Sequence, residues 1–207
     1  KPAPPAPVME IARDSVGVPE VKKPIVPTYE LAQLNLKLGE REIPDLPVST
    51  LAGWVQQVVA TESPVHEQEV IRRIADAADV PRIGSRLRLA LESAITNGVK
   101  YGRIRQEKQF LWAPEMPQPT IRDRSQLPPG SKNIQFIAPE EIMLAIQKVV
   151  ADAFGMPWEE IPGAVTKLLG LGRLNEDIRE QVELVTEEMM QTGQLKNQEG
   201  LILSGKT

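Results

Sequence analysis

Few residues of this chain could carry out chemistry on their own. The 207 residues include one histidine, His66, and no cysteine. A zinc site would therefore consist mostly of carboxylates, which zinc sites seldom rely on, and a Ser-His-Asp arrangement would have to recruit His66 without local support. We expect no catalytic residue, no metal and no cofactor. We interpret His66 as a helix-start residue whose ring caps backbone N–H groups.

One motif for nucleotide binding occurs in the sequence. Residues 200–207 (GLILSGKT) satisfy the pattern G-x-x-x-x-G-K-S/T. In a phosphate loop a helix begins at the lysine and contributes N–H donors and its dipole, whereas the residues between these glycines are three aliphatics and a serine. We therefore predict a strand here. The GLGR at 170–173 is a weaker match, and we predict that it forms a turn.

Basic side chains in the first half of the chain are more informative. Six of them could each neutralise a nucleic-acid phosphate: Arg82, Arg86, Arg88, Arg103, Arg105 and Lys108. Neutralising about five phosphates would give a log–log salt slope of about −4.5 on duplex DNA. Leu89 and Glu92 stand where base contacts would be made, which favours backbone contact over sequence reading. The other hypothesis is that these arginines form an ordinary solvated or internally paired surface.

These basic residues belong to a pattern that occurs twice. Sliding the sequence by 91 positions without a gap places VVA at 58–60 on VVA at 149–151. The same shift aligns Arg82 with Arg173 and Arg88 with Arg179. The register holds over roughly fifty residues, and such self-similarity is typical of a duplicated domain.

Each copy has the pattern of three helices followed by a hairpin. In the first copy the sequence predicts helices over 49–60, 66–78 and 85–96, with a stop at Asn97-Gly98, and strands over 102–105 and 109–112. In the second it predicts a strand over 133–137, helices over 138–154, 158–169 and 176–191, and strands over 194–196 and 201–204. We therefore predict a mainly α protein with small β wings, consisting of two tandem winged-helix (helix-turn-helix) domains.

Proline content sets the predicted domain boundaries. Seven of the nineteen prolines lie within residues 1–28, so we predict a proline-rich linker and arm over 1–42, with a PxxP-type docking ligand as the alternative. Within it, Tyr29–Leu38 is expected to lie against the first domain. The first winged helix is assigned to 43–116, a linker to 117–133 and the second winged helix to 134–207. The linker implies an upstream domain, and because the sequence starts at Lys1 without a methionine, we expect it to be a piece of a longer protein.

The two copies differ in charge. Residues 64–112 contain nine Lys or Arg against six acids, a balance of +3, and residues 140–203 contain five against twelve, a balance of −7. Placing the apolar residues of the third helix inward turns Ser85, Leu89, Glu92 and Thr96 outward. The equivalent outward residues of the second copy are Glu176, Glu180, Glu183 and Glu187. Four carboxylates repel a phosphate-lined groove, so we predict that this helix contacts protein.

Bulk properties narrow the class of protein. The net charge of −4 and the pI near 5.3 argue against a strong nonspecific binder of polyanions. The absence of cysteine fits a reducing compartment. No apolar run approaches the ~20 residues of a membrane span. We expect a cytoplasmic protein.

Four short segments also carry a resemblance to a known family. They are Glu62-x-Pro64-Val65-His66, Arg82-x-Gly84-Ser85-Arg86, Arg122-Asp123-Arg124 and Pro139-Glu140-Glu141-Ile142. With them, residues 45–195 resemble a bacterial domain of unknown function at the C-terminal end of very large superfamily-one helicases that also carry a Vsr-like endonuclease module. The resemblance implies an accessory module of a DNA-handling machine, in some cases linked to phage defence. It supplies no catalytic residues.

Two functions therefore remain open from the sequence. In the first, the chain is a non-catalytic nucleic-acid-binding module whose first winged helix contacts the DNA backbone. In the second, both winged helices are docking elements that contact the helicase or nuclease domains of the same polypeptide without binding DNA. No membrane partner is expected in either case.

Overall fold

The structure, a computed structural model, describes residues 26–39 and 41–205. Most of the predicted proline-rich linker and the last two residues of the GLILSGKT motif lie outside the described residues. Within these limits the fold is mixed α/β, with six α-helices and two three-stranded sheets. No helix of this part of the chain is both long and apolar enough to cross a bilayer.

The first unit consists of three helices and one small antiparallel sheet. Its elements are α1 (Val48–Glu62), β1 (Val65–His66), α2 (Glu67–Ala77), α3 (Ser85–Lys100), β2 (Arg105–Glu107) and β3 (Phe110–Trp112). The sheet order is β1-β3-β2, so the hairpin β2–β3 is joined by the short strand that follows α1. Leu111 in the central strand lies opposite both Val65 and Gln106. The sheet closes one end of a helical core that includes Leu51, Val55 and Leu91.

The second unit repeats this arrangement of elements. It consists of α4 (Pro139–Asp152), β4 (Met156–Pro157), α5 (Ile161–Leu168), α6 (Glu176–Gln191), β5 (Leu195–Gln198) and β6 (Leu201–Ser204). Its sheet order is β4-β6-β5, the same as in the first unit. It has a separate core built around Ile142, Val182 and Met189.

A spacing of 91 residues relates four of the six pairs of corresponding elements, whereas α5 begins 94 residues after α2 and β5 begins 90 residues after β2. The first residues of α1 and α4 are 48 and 139, those of β1 and β4 are 65 and 156, those of α3 and α6 are 85 and 176, and those of β3 and β6 are 110 and 201. Each of these four pairs is 91 residues apart, the shift that aligns the sequence with itself. A duplication would produce this spacing, but the duplication itself stays a prediction.

Capping residues fix the starts of two helices as the sequence predicts. The Nδ1 atom of His66 accepts a hydrogen bond of 3.1 Å from the backbone N–H of Gln68 at the start of α2. In α6, the Oδ1 atom of Asn175 accepts one of 2.9 Å from the backbone N–H of Ile178. Both satisfy donors that the first turn of a helix leaves without partners. The predicted capping role of His66 is confirmed.

Two local predictions are wrong. Helix α3 continues through Gly98 to Lys100, because this glycine allows close packing instead of ending the helix: an added Cβ would lie 3.2 Å from the side chain of Ile104. The chain turns instead at Gly102, where φ is +66°. Residues 133–137 contain a 3-10 turn, Ile134–Phe136, in place of the predicted strand.

The arm and the segment between the units pair with each other. The backbone N–H of Tyr29 donates to the carbonyl oxygen of Asp123, and the N–H of Asp123 donates to the carbonyl oxygen of Pro27, both at 2.8 Å. Beyond this bridge the arm packs on the first core through Ala32, Leu34, Leu36 and Leu38, which confirms the predicted docking of the arm. Val26, on the other side of the bridge, packs on the second core.

Candidate functional site

Helix α3 of the first unit presents the face that the sequence predicts. Leu87, Leu91 and Ala94 are buried against the core. Ser85, Leu89, Glu92 and Thr96 are exposed, and Leu89 is 63% exposed. Within the described residues, the ion pairs and hydrogen bonds of α3 do not involve the second unit. This face is therefore open to a partner.

The six predicted nucleic-acid-binding residues fall into two groups. Arg82 precedes α3, and Arg86 and Arg88 lie in its first turn. The others, Arg103, Arg105 and Lys108, follow the helix and belong to the hairpin. A helix of this length spans roughly 24 Å, so the two groups lie at opposite ends of α3. One ligand reaching both would have to extend along the helix.

Two of the six basic residues already have partners in the protein. Arg86 forms ion pairs with Glu42, at 3.2 Å, and with Asp45. Arg105 forms an ion pair with Glu107, and its guanidinium carbon lies 4.7 Å from the ring centroid of Trp112. These pairs are at least partly exposed, and pairs of that kind contribute about 0–1 kcal/mol, so a phosphate could replace the carboxylates.

The remaining four basic residues form no ion pair in the described part of the chain. Within 26–39 and 41–205 no carboxylate pairs with Arg82, Arg88, Arg103 or Lys108. All of them are exposed except Arg103, which is half-buried. These four side chains are therefore available to an anionic ligand.

The same face of α6 in the second unit is acidic. Glu176, Glu180 and Glu187 are exposed, and Glu183 is half-buried. Arg179 lies 3.9 Å from both Glu176 and Glu183 and offsets part of their charge. The outward face of α6 therefore carries four carboxylates, whereas the equivalent face of α3 carries one, that of Glu92.

A cluster of charged side chains that the sequence analysis does not predict is buried in the described part of the chain. Glu141, in the first turn of α4, accepts hydrogen bonds from Arg122 Nη2 and Arg124 Nη1, both at 2.7 Å. Glu141 is fully buried, and Arg124 is 2% exposed. Arg122 also reaches the first unit, because its Nη1 and Nη2 donate to the carbonyl oxygens of Glu62, Ser63 and Pro64 at 2.7, 3.1 and 3.0 Å.

The arm and the first unit complete this cluster. The ring of Tyr29 lies beneath both guanidinium groups, at 4.6 Å from Arg122 and 4.9 Å from Arg124. Its hydroxyl donates to Glu62 Oε2 at 3.0 Å. Glu62 also accepts from the backbone N–H of Ala32 at 2.9 Å, and Arg73 pairs with the same carboxylate at 3.3 Å. The cluster thus joins the arm, both units and the connecting segment.

Burial and charge shift the pKa values within this cluster in opposite directions. Burial raises the pKa of the Glu62 carboxyl above its ordinary value, and the nearby Arg73 charge only partly counters it. Burial also raises the pKa of the Glu141 carboxyl, but the charges and hydrogen bonds of Arg124 and Arg122 outweigh that effect and hold it below its ordinary value. For Tyr29, burial and then the charge of Glu62 raise the pKa of the hydroxyl.

This cluster is suited to a structural role, because it exposes no reacting group to solvent. Arginines pair with its carboxylates, and such pairing is typical of a structural ion-pair cluster and not of an acid–base site. Within the described residues, no group of three or more His, Cys, Asp and Glu is arranged to hold a metal ion. His66 is buried between Phe110 and Phe136, with ring centroids 5.3 and 5.0 Å away.

The sequence contains a signal for part of this cluster, but it does not show which residues pair with one another. Arg122-Asp123-Arg124 is a charged triplet in a stretch with five prolines between residues 113 and 132. The structure brings that triplet, the Glu62–His66 segment and the Pro139–Ile142 segment together at one place. Three of the four segments that carry the family resemblance therefore meet in the buried cluster.

Comparison with known proteins gives a match to part of the first unit. A family model described as a protein of unknown function (DUF3320) matches residues 41–89. The match covers the first two helices and the first turn of α3, and its description assigns no activity. A search of curated proteins and a search of solved structures each give no match.

Proposed function

We propose that the chain consists of two winged-helix units that arose by duplication. Each unit has three helices, a two-residue strand after the first helix and a C-terminal hairpin, in the same sheet order. The spacing of 91 residues between the first residues of four of the six pairs of corresponding elements supports the duplication. Winged helices and related helix-turn-helix units commonly place the helix corresponding to α3 against DNA.

The first unit, in this proposal, is a non-catalytic nucleic-acid-binding module that contacts the DNA backbone. The observation that carries the proposal is the difference in charge between the two units: arginines surround the start of α3, and glutamates line α6. Phosphate contacts from Arg and Lys dominate the affinity of DNA-binding proteins. The outward Leu89 and Glu92 offer little to a base edge, so binding would not depend on base sequence.

The arrangement of the cations sets the expected salt dependence. If Arg82, Arg88, Arg103 and Lys108 each neutralise one phosphate, the log–log salt slope on duplex DNA is about −3.6. If only one end of α3 is engaged, the slope falls to about −1.8. The second unit would act as a spacer or docking platform, because its four glutamates would be repelled by phosphates.

The resemblance to the C-terminal domain of large bacterial helicases supplies a context for this proposal. In that context the module would assist a DNA helicase or nuclease within the same polypeptide, in repair or phage defence. DNA and the helicase and nuclease domains of that polypeptide would be its partners, and any catalysis would reside in those domains.

A second candidate function is docking to protein without DNA. Two observations favour it: Leu89 is 63% exposed in the middle of the outward face of α3, and Glu176, Glu180, Glu183 and Glu187 form an acidic row on α6. Under this alternative, α6 would contact basic surfaces of a helicase or nuclease domain. Leu89 would pack into the same partner.

Fluorescence anisotropy separates the two functions. The full chain is titrated into labelled duplex, forked and single-stranded DNA of random sequence at two salt concentrations. DNA binding whose affinity falls with salt along a slope between about −1.8 and −3.6 supports the nucleic-acid module. The absence of binding at both salt concentrations would contradict it and leave the docking function.

A further inference from the structure

A cleft lies beside the start of α3, between that helix and the segment that leads into the first unit. Its volume is about 450 Å³, which falls within the size range of small-ligand sites. Ile43 and Leu87 are buried in its floor, and Val80 is half-buried there. The rim holds three exposed guanidinium groups, those of Arg41, Arg82 and Arg86. An apolar floor beneath a basic rim matches a ligand with a flat apolar part and an anionic part.

The second unit has a smaller cleft at the equivalent place, with a volume of about 270 Å³. Seven of its eight lining residues lie 91 positions after lining residues of the first cleft. Ile134 and Ile178 replace Ile43 and Leu87 in the floor, but Asp177 replaces Arg86 at the rim. Asn175, whose side chain caps α6, replaces Gly84, which has no side chain to cap α3. The first cleft is therefore larger and more basic than its counterpart.

Resting on the proposed contact with DNA, we propose that the first cleft takes one unpaired nucleotide of the bound strand. The base lies on the apolar floor, because unpaired bases are bound by stacking between apolar side chains or on arginine planes. Its phosphate lies between Arg82 and Arg86, since guanidinium groups bind phosphate with paired hydrogen bonds. The module would then prefer DNA ends or junctions that offer an unpaired nucleotide over continuous duplex.

Two carboxylates compete with this phosphate. Glu42, which also lines the cleft, lies 3.2 Å from Arg86, and Asp45 pairs with the same guanidinium. Because these pairs are exposed, they are weak, and a phosphate with more negative charge displaces them. Removing the charge of Glu42 should therefore strengthen binding, a response that a purely structural role of Glu42 would not produce.

The test uses the full chain and two kinds of probe. The first is a set of small molecules, dAMP, deoxyadenosine and inorganic phosphate, whose binding is followed by NMR chemical-shift changes. The second is a pair of labelled duplexes of the same sequence, one blunt and one with a single unpaired nucleotide at each 3′ end. We expect dAMP to bind more tightly than either deoxyadenosine or phosphate. We expect the overhang duplex to bind roughly five- to tenfold more tightly than the blunt one.

Three variants test whether the first cleft is responsible for dAMP binding and for the overhang preference. A Cβ added at Gly84 meets no atom within 4 Å, so Gly84→Trp fills the cleft with little disturbance of the core. It should abolish dAMP binding and the overhang preference while blunt-duplex affinity is retained. Gly163→Trp is the matched control, because a Cβ at Gly163 in α5 also meets no atom within 4 Å and lies outside the cleft. Glu42→Gln should raise the affinity for dAMP about threefold, as expected when one exposed ion pair is removed.

The outcomes separate this inference from the proposed function. Equal affinity for blunt and overhang duplexes, with salt-dependent binding of both, would overturn the nucleotide cleft and leave the DNA module standing. Phosphate binding as tightly as dAMP would show an anion contact only and would also overturn it. Failure of both duplexes to bind would contradict the proposed function, and the dAMP titration would then decide the cleft separately. If Gly84→Trp does not fold, Arg82→Ala replaces it and must weaken dAMP binding.

Discussion

Arg122 and Glu141 form an ion pair of 2.7 Å between the segment that connects the two units and the first turn of α4. Because Arg122 also donates to three carbonyl oxygens at the end of α1, this pair ties the second unit to the first. Arg124 completes the pairing of the same carboxylate. The relationship explains how a proline-rich connector becomes a fixed part of the fold.

Replacing Glu141 tests how much this cluster contributes to the free energy of unfolding. Glu141→Gln would leave Arg122 and Arg124 buried without a counter-charge, and breaking a buried pair in this way costs about 3–5 kcal/mol. The free energy of unfolding from urea denaturation should fall by that amount. Glu140→Gln, at the half-buried neighbouring position, is the control, with an expected change within about 0.5 kcal/mol. Similar stability of both variants would show that the cluster does not hold the units together.

The two buried glutamates should respond oppositely to pH. The pKa of Glu141 is held below its ordinary value, so its contribution is present above the unfolded-state pKa and is lost as pH falls through the folded-state pKa. The pKa of Glu62 is raised, so its contribution is present at low pH and is lost as pH rises through the folded-state pKa.

Two matched variants measure this opposition. The stability of the unmodified chain minus that of Glu141→Gln should increase as pH rises from about 3 to 5 and then level off. The same difference for Glu62→Gln should decrease as pH rises above about 4.5. Urea denaturation at a series of pH values gives both curves. If both stability differences changed in the same direction with pH, the opposite pKa shifts of Glu141 and Glu62 would be refuted.

Tyr29 should anchor the arm by two separable contributions. Tyr29→Phe removes the hydrogen bond to Glu62 and keeps the ring beneath the guanidinium groups, so we expect a loss of about 2 kcal/mol, as for hydrogen bonds to charged groups. Tyr29→Ala also removes the buried ring and should cost about 3–5 kcal/mol. Limited proteolysis should then cleave the arm of the alanine variant faster. Equal stability of the two variants would show that the ring contributes nothing.

The regular elements could be predicted from the sequence because their signals are local. The apolar period of 3.6 residues marks α3 and places Leu91 at its centre, where it is fully buried. Asn175 marks the start of α6 because its side chain satisfies the first-turn N–H groups. The 91-residue shift gives the starts of α4, β4, α6 and β6 from their counterparts in the first unit, and it misses the start of β5 by one residue and that of α5 by three.

Other features depend on contacts that no local pattern reveals. Strand β1 has two residues, Val65 and His66, which is too short to show the alternation of a strand. The end of α3 was misplaced because Gly98 serves packing against Ile104. The pairing of Arg122 with Glu141 joins residues on either side of proline-rich chain, and only the tertiary structure selects that carboxylate among many.

The DNA-binding account is tested most directly by charge reversal at equivalent positions of the two units. Arg82→Glu with Arg88→Glu alters the start of α3, and Arg173→Glu with Arg179→Glu makes the same change 91 residues later, at α6. Both double variants change the net charge equally, so any general effect of charge is shared.

Fluorescence anisotropy with labelled duplex DNA, at several salt concentrations, is the measurement. The account predicts that the first double variant loses most of its affinity and that its salt slope becomes shallower by about 1.8, the loss of two phosphate contacts. The second double variant should bind within about twofold of the unmodified chain, as distant surface changes usually do. Equal loss of affinity in both variants, or no DNA binding by the unmodified chain, would contradict the account.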